Sequence, residues 1–246
     1  MTAVPQPTRY CALAAGVLWL TACSGHAPAP ATPTELNTLT AAERDAGWRL
    51  LFDGRTTQGW RGFRMDTMPS GWQAVDGALQ IVRGGGPDIV SRDTFTNFEL
   101  QLEWRIAPGG NSGIFYRGSE DDDAVYWNAP EMQVLDDSGH SDGRLLTTSA
   151  GSVFGLYAVP SHLARPAGQW NQVRILVNGH HVEHWLNGVK AAEYEFGSAD
   201  WDARVRASKF APHVHFGRNA SGFIALQDHG GNDRPAYRNI RIRVLP

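Results

Sequence analysis

Within residues 98–117, FELQLEWRIAPGGNSGIFYR, the first nine alternate apolar and polar side chains so regularly that they admit little besides antiparallel β structure. Phe98, Leu100, Leu102, Trp104 and Ile106 fall on one face, and Glu99, Gln101, Glu103 and Arg105 on the other. A polar turn then leads into a second strand. An apolar face this continuous needs a second sheet to cover it, which implies an all-β sandwich of two facing antiparallel sheets. The polar face, with Glu103 and Arg105 just before the turn, is expected either as a solvated face with one ion pair or as the floor of a concave groove.

The start of the chain reads as an address. Arg9 supplies a positive charge, Cys11–Leu20 is an apolar stretch too short to span a bilayer, and Leu20-Thr21-Ala22-Cys23 resembles a bacterial lipobox. That resemblance implies a signal peptide over residues 1–23 and lipidation of Cys23. The protein is then expected in the cell envelope, lipid-anchored on the periplasmic side or at the outer membrane. With Cys11 removed and Cys23 acylated, the fold is left no thiol and no disulfide. Residues 24–39, rich in Pro, Ala and Thr, are expected as a disordered tether. Thr40-Ala41-Ala42-Glu43 matches a capping box and opens a short helix ending near Gly47. The remaining roughly 200 residues suit one domain, so residues 40–246 are read as a single β-sandwich.

A net charge of −3 and the lack of any basic run give no reason to expect nucleic acid as a partner. Strands are expected over 48–51, 72–75, 78–82, 89–91, 98–106, 113–117, 131–135 and 155–159. Further strands are expected over 170–177, 181–186, 190–196, 222–227 and 239–244. Asn178-Gly179 and Asn187-Gly188, each between alternating segments, make 170–196 a three-stranded meander. Strand–helix–strand alternation does not occur, which excludes the nucleotide-binding α/β folds and with them a nucleotide cofactor. Gly-x-Ser-x-Gly, Walker and His-Glu-x-x-His sequences are also missing.

Six segments, WRLLFDGRTTQGW, FELQLEWRIAPGGNSGIFYR, EMQVLDD, GQWNQVRILVNGHHVEHWLNG, IALQDHGG and YRNIRIRV, occur in order from Trp48 to Val244. Together they resemble the bacterial 3-keto-disaccharide hydrolase family. The resemblance implies a concanavalin A-like jelly roll and action on sugars whose C3 hydroxyl has become a ketone. Glu120–Asn128 and Ala199–Arg218 depart from the family pattern, which leaves substrate preference open.

A C3 ketone acidifies the C2 proton. One base can then form an enolate, the C1 substituent leaves by elimination, and water adds back for net hydrolysis. Such a site needs a base, an electrophile for the enolate oxygen and an acid for the leaving group. Glu131 and Gln133 share a face by parity, while Asp136 and His140 follow directly on a loop. His229 ends an apolar strand beside two glycines. Glu131, His229, Asp136 and Glu103 are therefore the catalytic candidates, although a buried ion pair explains Glu103 or Glu131 equally well, and a turn histidine explains His229. Arg105, Asn111, Gln133 and His140 are candidates for binding sugar hydroxyls, and Trp127 and Tyr157 for stacking on sugar faces. The chemistry admits one divalent metal ion in place of an arginine or oxyanion hole, with Glu131, Asp136 and His229 as expected ligands. His181/His184 and His213/His215 are weaker pairs, better explained as exposed polar positions. A non-catalytic, lectin-like carbohydrate-binding lipoprotein is the alternative, since a jelly roll supports either role.

Overall fold

The computed structural model describes residues 1–3 and 35–246. The lipobox with Cys23 and residues 24–34 of the expected tether lie outside the described residues. Residues 35–39, assigned above to the tether, instead belong to the compact unit Glu35–Pro246. Asn37 is buried there. Its N–H donates to Asn239 Oδ1 at 2.7 Å, its Oδ1 accepts the Asn239 N–H at 2.8 Å, and its Nδ2 donates to the Gly77 carbonyl. Composition hides such an anchor because one side chain replaces the missing apolar surface.

The capping box forms as expected, and α1 (Ala41–Asp45) begins after Thr40, whose side chain accepts the Glu43 N–H. There follow β1 (Trp48–Leu50), β2 (Trp60–Gly62), β3 (Trp72–Val75), β4 (Ala78–Ile81), β5 (Ile89–Phe95) and β6 (Phe98–Arg105). Next come β7 (Asn111–Gly118), β8 (Glu131–Leu135), β9 (Asn171–Asn178), β10 (His181–Leu186) and β11 (Val189–Glu195). A second helix, α2 (Ala199–Arg206), precedes β12 (Gly222–Leu226) and β13 (Ala236–Val244). Eight strands form one antiparallel sheet, in the order β11-β10-β9-β6-β13-β4-β3 with β1 also on β13. Five form the other, β2-β5-β12-β7-β8. The jelly-roll sandwich is thus present.

The core lies between the sheets. Phe98, Leu100, Leu102 and Trp104 of β6 are buried there, as parity requires, against Ile114, Tyr116, Met132 and Val134 from the smaller sheet. The β9–β11 meander is present, and Asn187 and Gly188 both adopt positive φ, 51° and 83°, as a type I′ hairpin turn demands. Three elements differ from the sequence reading, the first being β2, Trp60–Gly62, which lies outside the expected strands. Residues 155–159 make only isolated bridges, because Tyr157 returns to Val153 through a tight turn at Gly155. Ala199–Arg206 is helical: Ser198 caps Trp201, acidic residues start the helix and basic ones end it, and Trp201 is fully buried.

Candidate active site

The two outer faces differ in how their carboxylates are compensated. On the larger sheet, Glu99 pairs with Arg174 at 2.8 Å and Arg243 at 2.7 Å, and Glu183 with Arg174 at 3.1 Å and Lys190 at 3.0 Å. Burial alone would raise Glu183, but the Trp185 indole N–H, Lys190 and Arg174 outweigh it and draw its pKa down to about 2. Glu103 belongs to this face. It accepts from Arg238 at 2.7 Å and Asn239 at 3.2 Å, and Arg105 stacks over Trp170 at 4.8 Å. The polar face of β6 is therefore an ionic ladder, and Glu103 and Arg105 lie on the opposite sheet from Glu131. Their assignment to the groove is corrected. The cations that neutralise Glu99 and Glu103 come from β9 and β13, far along the chain, so strand parity could not reveal them.

The outer face of the smaller sheet gathers polar side chains without such partners. Glu131 and Gln133 of β8 point away from Met132 and Val134, which face the core. Across the register, Gly113 leaves its side-chain space open and the Glu131 carboxyl fills it. Glu131 is 8% exposed and, among the described residues, its carboxyl accepts no hydrogen bond. Burial pushes it up to about 8; Lys209 opposes the shift, while Asp88 and Asp142 add to it. Asp88, just before β5, shares the parity of Val90 on this same face. It accepts the Asp228 N–H at 2.9 Å, yet burial holds it up at about 7. Strands β5 and β8 are separated by β12 and β7, so the two carboxyls flank a floor laid by Gly113, Ala225 and Gln227.

Two amides on this floor are left open. Gln133 Oε1 accepts the Val134 N–H, while its buried Nε2 has no partner among the described residues, and neither has the buried Oδ1 of Asn111. A buried donor and a buried acceptor left unpaired beside two uncompensated carboxyls fit a ligand rich in hydroxyls. The expected Asn111, Gln133 and Glu131 thus come together. His140 and His229 meet at the rim, their rings edge to face at 6.3 Å, with His229 Nδ1 3.5 Å from Asp233.

The other candidates each make contacts of their own in the fold. Asp136 accepts from Gly109 N–H at 2.8 Å and from the Ser138 hydroxyl at 2.7 Å. Burial would raise it, but these bonds hold it low, so it shapes the loop after β8 and makes a poor base. Trp127 is stacked on His213 at 3.9 Å with Tyr126 edge-on at 4.6 Å, so one ring face is already covered. Tyr157 stacks on Tyr194 and donates to Asp200 on α2, which makes it part of the helix packing. Glu131, Asp136 and His229 do not gather as a ligand set. Among the described residues, His181, Glu183 and Glu193 are the metal-type side chains that come within mutual reach, and they already face Lys190. His184 points the other way, into the core, where burial lowers it to about 4. Asp88 and Lys209 escaped the sequence reading. The outward parity that Asp88 shares with Val90 was the available signal.

A two-sheet jelly roll with an acid-lined polar face on one sheet defines a carbohydrate-active sandwich protein. Residues 47–243 match the family model described as a 3-keto-alpha-glucoside-1,2-lyase-like domain, and the chain belongs to that family. A protein of Bacteroides thetaiotaomicron named 3-keto-disaccharide hydrolase is 36% identical over 285 aligned positions, covering 96% of this chain and 97% of its own. Two solved structures of candidate glycosyl hydrolases from Parabacteroides distasonis are also similar. One is 31% identical with a TM-score of 0.80, covering 86% of this chain and 100% of its own. The other is 28% identical with a TM-score of 0.65, covering 80% and 99%.

Proposed function

We propose that this protein cleaves 3-keto disaccharides by removing the C2 proton, eliminating the C1 substituent and adding water across the resulting double bond. The observation that carries the reading is the pair Asp88 and Glu131: two carboxyls on one polar face, Glu131 buried and Asp88 half-buried, without a cation paired to either and both raised toward neutrality. Burial raises Glu131 further, to about 8, than Asp88, to about 7, so near neutral pH Asp88 is the one suited to accept the C2 proton and Glu131 the one suited to give a proton to the departing oxygen. The Asp228 N–H bonded to Asp88 favours its charged form. Gln133 Nε2 and Asn111 Oδ1 would each take one sugar hydroxyl, and His140 and His229 would meet the substrate at the rim. The name of the Bacteroides relative supports a 3-keto disaccharide as substrate, and the lyase wording of the family supports elimination.

Incubation of the protein with a disaccharide and with its 3-keto form in deuterated water tests this. Cleavage of the keto form alone, with deuterium at C2 of the product, is expected. Equal turnover of both with C2 hydrogen retained indicates an ordinary glycosidase. Binding without turnover indicates the lectin-like alternative.

A further inference from the structure

The proposed elimination leaves one requirement unmet, a cation for the enolate oxygen. The segment after α2 supplies one. Lys190 and Lys209 are the only lysines among the chain's 22 basic residues. Lys190 is committed to Glu183 and Glu193, whereas Lys209 has no carboxylate or hydrogen-bond partner among the described residues. Its Nζ lies 4.3 Å from the centroid of the Phe154 ring, and the Phe154 N–H donates to the Glu131 carbonyl at 3.1 Å. The ammonium is thereby brought to the neighbourhood of Glu131, beyond ion-pair contact but near enough for its charge to act on the carboxyl.

The segment is braced, so this placement is built in. Phe210 stacks on Phe216 at 4.1 Å, and Phe216 in turn on the buried Trp201 at 6.0 Å. Beyond them the Gly217 N–H donates to the Asn128 carbonyl, three residues before Glu131. Gly217 has φ 65°, and a Cβ there would lie 2.4 Å from the Trp201 ring, so only glycine lets the segment close at this point. A compact ammonium over an aromatic ring, unpaired and within electrostatic reach of an acid, is suited to a developing oxyanion.

We propose that Lys209 is the catalytic cation of this site, polarising the C3 ketone and holding the enolate oxygen; the assignment rests on the elimination reading above. A carboxylate takes the C2 proton, and the C2–H electron pair becomes the C2=C3 bond while the C3 oxygen gains the charge beside Lys209. That charge returns to re-form the C3 ketone, the electrons shift into C1=C2, and the C1–O bond breaks as the leaving oxygen takes the proton held by Glu131. Water then adds its oxygen to C1 and a proton to C2.

The test is Lys209→Met in the otherwise complete protein, with Glu131→Gln beside it. Cleavage of the 3-keto disaccharide and deuterium exchange at C2 of a non-cleavable 3-keto C-glycoside are both measured, alongside thermal melting. Loss of both activities by about 10²–10³-fold, with melting unchanged, is expected. Partial recovery of Lys209→Ala by added ethylamine is expected as well. Lys209→Met cleaving within about threefold of wild type, while Glu131→Gln is inactive, overturns the assignment and leaves the elimination reading intact. A loss that amines do not restore overturns the direct role in favour of a packing one. A wild-type protein that neither cleaves nor exchanges the keto sugar removes the elimination reading itself.

Discussion

The carboxyl of Glu131 occupies the volume that a side chain at Gly113 would take: a Cβ at residue 113 would lie 2.3 Å from Glu131 Oε1. Residue 113 pairs with Gln133 and its neighbour Phe115 with Glu131, so the glycine lets the acid lean along the sheet toward Asp88 instead of away from it. Gly113→Ala is expected to push Glu131 off the floor. The variant should lose about 1–3 kcal/mol of stability through overpacking. It should also lose activity toward a 3-keto disaccharide by about 10²-fold, since misplacing a reacting group by an ångström costs that much. Melting and steady-state kinetics check both outcomes.

The two raised carboxyls set a pH profile. With Asp88 as base and Glu131 as acid, kcat/KM should rise through about 7 and fall above about 8, as macroscopic values of a coupled pair. Asp88→Asn should abolish the activity that rises on the acid side. Glu131→Gln should remove the alkaline fall from whatever rate remains. Stability carries the same sign. Both groups bind protons more tightly folded than unfolded, so their contribution is complete below the unfolded carboxylate range, falls as pH rises from there, and is gone above the folded values of about 7 and 8. Glu131→Gln should therefore flatten the decline in melting temperature over that window.

Glu103→Ala separates the two faces. Glu103 bonds Arg238 and Asn239 on the outer face of the larger sheet, so turnover should stay within about threefold of wild type. Leu102→Ala, one residue earlier and facing the core, should cost about 2–5 kcal/mol in denaturant unfolding. A large kinetic loss in Glu103→Ala would return β6 to the site.

His213 holds the segment that bears Lys209 against Trp127 through a stack at 3.9 Å. His213→Ala should cost about 0.5–1.5 kcal/mol and open residues 207–218 to limited proteolysis. Cleavage sites mapped by mass spectrometry should fall in that segment first.

Cys23→Ser tests the envelope address. Wild-type protein is expected in the membrane fraction with acyl chains on residue 23, and the variant in the soluble or unprocessed fraction. Quantitative release of unacylated wild type would remove the anchoring proposal.

Much of this fold is legible without coordinates. The alternation in residues 98–105 identifies which side chains are buried, the Asn-Gly pairs identify the meander, and Thr40–Glu43 identifies the first helix, because each is settled within a few bonds of chain. Parity likewise puts Glu131 and Gln133 on one face. What parity leaves open is which outward face stays uncompensated. Glu103 looks like a site residue from sequence but is neutralised by Arg238, 135 residues away, and Asp88 escapes notice until Asp228, 140 residues on, fixes its carboxyl. The bracing of Lys209 depends in the same way on contacts of its segment with Trp127, Asn128 and Phe154. The sequence by itself determined most of the strands, their faces and the family. Only the tertiary structure decided which acids keep a cation and which stand alone, because a side-chain period of two is local while charge compensation is set by strands that meet across the sheet.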